Sequence, residues 1–181
     1  QGEDVQELLR RAYLCAQRGE LRQALALYDR ALARSPRRVD ALINRGVVRQ
    51  RLGQLQLARR DLERAYELGS RDPTLFNALG VLYLRLDQPE RARKLLERAG
   101  TAEAEVNLAL LSWQRGELEE VALHLQRAQR LDPYDPYVHF YWYRWWEQRG
   151  DARRALQHLA LCRQLAEQRG AQELLRRLPP S

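Results

Sequence analysis

The residues of this sequence best suited to chemistry are few and scattered. Three histidines, His124, His139 and His158, could move protons or bind a metal, and two cysteines, Cys15 and Cys162, could serve as nucleophiles or ligands. His124 and His158 are 34 residues apart and fall at equivalent places in the pattern described below, so they are expected to be neighbours. Two histidines with no third ligand marked by a metal-binding spacing leave a metal site thinly supported. The cysteines lie 147 residues apart, form no CxxC pair, and fall at packing positions, where Cys behaves as a small hydrophobe. No Ser/His/Asp order, phosphate-binding glycine loop or HExxH motif occurs. The sequence therefore reads as non-catalytic, with no cofactor and no metal.

Recognition chemistry is better represented. The run Tyr134 to Trp146 holds 8 of the 14 aromatic residues. Trp142, Tyr143 and Trp146 fall at core spacing, but a helix buries one face and this one is aromatic nearly all round. Tyr137, Phe140, Tyr141 and Trp145 cannot all face one core, and they form a candidate anchor patch, since exposed aromatics mark interfaces. Packing against a final helix is the alternative.

The elements that must carry these residues repeat. Gly19 to Pro36, GELRQALALYDRALARSP, returns as GELEEVALHLQRAQRLDP at Gly116 to Pro133. Between them the unit recurs as helix, short turn, helix and break, which predicts units at 5–38, 39–72, 73–101, 102–135 and 136–169. Gly19, Gly53, Gly116 and Gly150 supply left-handed turns, with Asp87 in place of the third. Asp72-Pro73 and Asp135-Pro136 are strong helix starts, because Asp caps free N–H groups and Pro suits the first helical position. Gly100-Thr101 shortens the third unit, so its second helix should lose about one turn. A short last helix over Ala171 to Leu178 should cover the fifth unit with Leu174, Leu175 and Leu178, within a cap and tail at 170–181. Residues 1–4 are expected to form a disordered leader.

These units resemble tetratricopeptide repeats. The small residue mid-way along the first helix is Ala12, Gly46, Gly80 and Ala109, with Tyr143 departing in the fifth unit. The early Ala of the second helix is Ala24, Ala58, Ala92, Val121 and Ala155; the later one is Ala31, Ala65, Ala99, Ala128 and Cys162. The closing Pro is Pro36 and Pro133, with Ser70 departing. The resemblance implies an all-α fold, a right-handed α-solenoid of about five helix-turn-helix repeats with a C-terminal capping helix. At Tyr143 either the helix crossing widens or the ring swings out of it. Each pair has an apolar face it cannot bury alone, so stacking on neighbours stabilises it.

By position, the resemblance places a concave partner-binding groove along the first helices. Its lining would include Leu9, Tyr13, Ile43, Asn44, Val47, Asn77, Val81, Leu84, Val106, Asn107, Leu110 and Trp113. An Asn amide can donate to and accept from a peptide backbone at once; Asn44 and Asn107 could equally brace neighbouring helices. The family's carboxylate clamp needs Lys or Arg at several of these places, where this chain has Leu9, Tyr13, Asn44, Thr74 and Ala78, which argues against a chaperone-tail adaptor.

Composition narrows the partner. The net charge is +7, and 30 of the 31 basic residues are arginine. GC-rich coding accounts for that bias; an anion-binding surface is the functional alternative. Val5 to Arg38 carries 8 basic and 3 acidic residues, whereas Ala102 to Asp135 carries 3 and 7. That asymmetry suits orientation of a protein partner, with an acidic stretch at the basic end, better than a continuous phosphate track. The expected function is a scaffold that holds an extended peptide or helix of another protein. The alternatives are a homodimer through the aromatic helix and, less favoured, nucleic-acid binding. No apolar run is long enough to span a membrane. The start Gln1-Gly2-Glu3-Asp4 leans toward an exported chain, periplasmic or membrane-associated after signal removal, with a cytoplasmic chain as the alternative.

Overall fold

Asp and Thr side chains fix where the helices begin. In the computed structural model, which describes residues 2–181, Asp4, Asp72, Thr101, Asp135 and Asp151 each accept a backbone N–H at the start of α1 (Val5–Gln17), α5 (Pro73–Arg85), α7 (Ala102–Gln114), α9 (Pro136–Gln148) and α10 (Ala152–Arg169). Each of these caps satisfies a donor that the helix cannot. The remaining helices are α2 (Leu21–Arg34), α3 (Val39–Arg51), α4 (Leu55–Glu67), α6 (Pro89–Ala99), α8 (Leu118–Leu131) and α11 (Gln172–Arg177). The described residues contain no strand.

Between the helices of a pair the chain turns through one left-handed residue. Gly19, Gly53, Gly116 and Gly150 have φ of 73 to 80°, and Asp87 takes the same role at 57°. α6 has 11 residues against 13 or 14 in α2, α4 and α8, which is the shortening expected from Gly100-Thr101. Gly170, at φ 66°, stops α10.

The helices divide into two units. In the first, which ends at Ala99, α1 packs on α2, α3 on α4 and α5 on α6, while α2 meets α3 and α4 meets α5. The first helices also touch one another in sequence, α1 beside α3 and α3 beside α5. Small residues set how close a pair can come. A Cβ on Gly46 would lie 2.8 Å from Leu62, and one on Gly80 would lie 2.6 Å from Leu96. Consecutive pairs are tied by a contact that recurs every 34 residues: Arg51 donates to the carbonyl of Ala16 at 3.1 Å, and Arg85 donates to that of Gln50. Each arginine thus meets carbonyls at the C-terminal end of the preceding first helix, where the helix dipole favours a cation.

In the second unit, Gly100–Ser181, α7 packs on α8, α9 on α10, and α7 beside α9. Val121, Leu125, Ala128, Val138, Trp142 and Trp145 form its first core. The second core lies at its end, where Leu174 and Leu178 cover Phe140, Cys162 and Ala166. Tyr143 shows how its position is accommodated: the ring turns aside against that second core and its hydroxyl donates to Glu147 at 3.0 Å.

Candidate functional site

The helical period leaves one side of each first helix outside the pair, and in the first unit these sides lie on the adjacent helices α1, α3 and α5. Tyr13 is 51% exposed, and Leu9, Asn44, Val47, Val81 and Leu84 are half-buried. Leu9, Val47 and Leu84 also pack against the core beneath. Ile43 and Asn77, placed in the same lining from sequence, are buried instead, because α3 and α5 sit between helices on more than one side. In the second unit Asn107, Leu110 and Trp113 are half-buried on α7, whereas Val106 is buried in the core. Trp113 packs its ring edge-on to Trp145 at 5.9 Å.

The aromatic helix α9 presents less surface than its composition suggests. Phe140 is 3% exposed and Trp145 5%. Phe140 faces the final helix, with Arg177 over its ring, and Trp145 enters the α7–α9 core, with Arg149 3.5 Å above its ring. These two are therefore corrected from anchor residues to core residues. Tyr137 and Tyr141 stay half-buried, and Tyr134, before the helix, is 67% exposed.

The histidines pair differently from the expectation. His158 meets His139, not His124: their Nδ1 atoms are 3.1 Å apart and the rings stack. His139 Nε2 lies 2.7 Å from the carbonyl of Pro133, which can only accept. In the neutral pair His139 therefore donates from Nε2 and accepts at Nδ1 from His158. Burial, followed by the neighbouring His139, pulls His158 down to about 4. His124 Nδ1 instead lies 2.7 Å from Glu105. Both contacts join residues 19 apart, on the two helices of one pair. That separation was legible in the sequence, whereas the 34-residue spacing joins equivalent places in successive pairs. Among the described residues, no three His, Cys, Asp or Glu side chains gather to hold a metal. The thiol of Cys162 is pushed up to about 11 by burial, which opposes use as a nucleophile at neutral pH.

Charge is divided unevenly. Residues 1–99 carry 20 basic and 13 acidic side chains, so the net +7 of the chain is all theirs; residues 100–181 carry 11 of each. Many arginines are already engaged on aromatic faces, among them Arg71 on Tyr66 at 3.8 Å and Arg91 on Tyr83 at 4.1 Å. A stacked nucleobase would have to displace them, which counts against a nucleic-acid surface. No described helix is long and apolar enough to cross a membrane.

The repeated pairs and their small-residue crossings find a direct counterpart in a family model described as tetratricopeptide repeat, which matches residues 9–73, 45–104 and 77–136. The chain belongs to the tetratricopeptide repeat family. No curated protein is similar enough in sequence to count as a match. Among solved structures, the chain is similar to a thermophilic tetratricopeptide repeat protein of Thermus thermophilus (20% identity, 94% of this chain and 100% of that one, TM-score 0.80). It is also similar to PilW, a type IV pilus biogenesis factor (19% identity, 92% and 80%, TM-score 0.72). A third is YrrB, a tetratricopeptide repeat protein with an unusual peptide-binding site (24% identity, 90% and 86%, TM-score 0.55). These likenesses establish an all-α solenoid of helix pairs. Proteins of this family bind other proteins and are typically non-catalytic scaffolds.

Proposed function

We propose that this chain is a protein-interaction scaffold that holds an extended segment or helix of a partner protein on the α1, α3 and α5 face of its first unit. The observation that carries this reading is the row Leu9, Tyr13, Asn44, Val47, Val81 and Leu84: partly exposed, mostly apolar, on three adjacent helices, with one amide set among them. Apolar contacts would supply affinity, and the Asn44 amide could bond a partner's backbone in both senses. The excess of arginine in this unit favours an acidic partner and faster encounter with it. Asn107, Leu110 and Trp113 form a separate candidate patch on α7. Homodimerisation through α9 has weaker support, because Phe140 and Trp145 are core residues.

The test is capture of partners from native lysate by wild-type chain and by a Val47→Glu, Val81→Glu variant, both shown to be helical by circular dichroism. A partner held by wild type and lost by the variant supports the inner face and identifies the ligand. Equal retention by both would sink this site.

A further inference from the structure

The inner face of the first unit is built in rows, because the repeat sets equivalent residues 34 apart on adjacent helices. Tyr13, Val47 and Val81 form the middle row on α1, α3 and α5. One helical turn further on, toward the C-terminal ends, stand Gln17, Arg51 and Arg85. Arg51 and Arg85 are exposed, and each is pinned at this edge by its bond to a carbonyl of the preceding first helix, that of Ala16 and that of Gln50. A main-chain carbonyl occupies only part of a guanidinium fork and carries no charge to neutralise it. On the other side of the middle row lie Arg10, Asn44 and Ala78. Arg10 is paired with Glu7, and Ala78 is buried. Asn44 is half-buried and has no side-chain hydrogen bond among the described residues, whereas Asn77 and Asn107 are engaged within the protein. The middle row thus has an open amide on one side and two guanidinium groups on the other.

We infer that this face takes a polyproline-II segment of a partner protein that carries two carboxylates three residues apart, one for Arg51 and one for Arg85. This ligand presupposes the inner-face site proposed above. Asn44 selects the backbone. A helix bonds its own N–H and C=O groups, whereas a polyproline-II segment keeps them free for an amide. The helices set the spacing. Adjacent packed helix axes lie about 8–10 Å apart. Polyproline II rises about 3.1 Å per residue with about three residues per turn, so residues i and i+3 point the same way about 9 Å apart. In a β-strand the same-side neighbours i and i+2 are only about 7 Å apart. The segment runs along Tyr13, Val47 and Val81, and its apolar residues between the carboxylates meet the two valines. Gln17 stands where a third arginine would be, so the carboxylates lie over α3 and α5 and none lies over α1. The net +7 of residues 1–99 draws such a segment in.

The probe is a fluorescent proline-rich peptide with blocked ends and the core Glu-Val-Pro-Glu, read by anisotropy. One control has Gln for both Glu in the same flanks; a second has the same composition with its two Glu separated by a single residue. The probe should bind about tenfold more tightly than the Gln peptide and about fivefold more tightly than the second control, and added salt should shrink both margins. Arg51→Gln and Arg85→Gln should each remove most of the margin, and Asn44→Ala should weaken the probe by about threefold or more. Circular dichroism checks that the variants fold, and the comparison among peptides needs no variant. Three peptides bound alike, but all lost in the Val47→Glu, Val81→Glu variant, would overturn this ligand and leave the inner face standing. A margin that persists in that variant would place the site elsewhere and overturn both. No binding of the probe at millimolar concentration overturns the ligand, and capture from lysate then decides the inner face on its own. A helical peptide with glutamates seven residues apart that binds more tightly than the probe would give the face to a partner helix and overturn the ligand as well.

Discussion

Asp61 grips the guanidinium of Arg45 with both carboxylate oxygens, at 2.7 Å from Nη2 and 2.9 Å from Nε, and takes a third donor from Arg49 Nη1 at 2.8 Å. The Asp61 side chain is 5% exposed, so the charges are held away from most water. Removing one member strands the others, which costs about 3–5 kcal/mol in buried pairs. Asp61→Ala should therefore lower unfolding stability by about 3 kcal/mol in urea titrations. Asp61→Leu combined with Arg45→Leu and Arg49→Met should recover most of that loss, because apolar replacement of a whole buried network is often neutral. A loss below about 0.5 kcal/mol for Asp61→Ala would show that the network adds nothing.

Gly80 offers a test of packing against propensity. Alanine is the better helix former by about 1 kcal/mol, yet a Cβ there would meet Cγ and Cδ2 of fully buried Leu96 at 2.6 Å. Overpacking costs about 1–3 kcal/mol, so Gly80→Ala should destabilise by about 1 kcal/mol net. In a Leu96→Ala background the same change should stabilise, and a double-mutant cycle measures the coupling. At Gly46 the clash is with Leu62 at 2.8 Å, so the cost there should be smaller.

The helix pairs were legible because small residues, turn residues and caps recur in one phase. Ala12, Gly46, Gly80 and Ala109 each state the same crossing, and Asp72-Pro73 and Asp135-Pro136 state where helices begin. The site was legible only in part. A first helix exposes one side, but period alone cannot tell that Ile43 and Asn77 are shut in by neighbouring helices while Val47 and Val81 stay half-open. An all-round aromatic helix has no marked face, so the burial of Phe140 was decided by Leu174 and Leu178, more than thirty residues later in the chain. The His139–His158 contact joins residues 19 apart on the two helices of one pair, a spacing that the 34-residue repeat does not mark.

Asp87 carries local strain that its counterparts do not. It holds φ 57° where Gly19, Gly53, Gly116 and Gly150 hold the same turn. The left-handed region costs an L-residue about 1–2 kcal/mol, and Asp less than most. Asp87→Gly relieves the strain but gives the unfolded chain more freedom, so its thermal midpoint should move by less than the equivalent of about 0.5 kcal/mol. Asp87→Val, β-branched and without a local hydrogen bond to offer, should lose about 1–2 kcal/mol. A Val variant as stable as wild type would mean that the turn has another conformation open to it.

His158 should make stability depend on pH in a defined window. In the unfolded chain an imidazole takes its proton near 6.5, whereas in the fold His158 holds out until about 4. Between these values the unfolded state binds more protons, so stability is complete above the ordinary histidine range and drains away as pH falls toward 4. The causes are burial and His139, whose Nδ1 lies 3.1 Å away, and Trp142, stacked on His158 at 6.0 Å, closes another side. Asp135 interacts with His139, and burial raises its pKa, which weakens its charge in acid. His158 keeps some solvent, so the contribution should be about 2 kcal/mol, below the full value of the shift. Because carboxylates elsewhere also titrate in acid, the measurement is a difference: urea stability of wild type minus that of His158→Gln, from pH 7 to pH 4.5. Gln can still donate toward His139 but carries no proton of its own to lose. The difference should shrink or reverse by about 2 kcal/mol across that range. Parallel profiles would show that His158 titrates alike in both states and that its pairing with His139 does not exclude the proton.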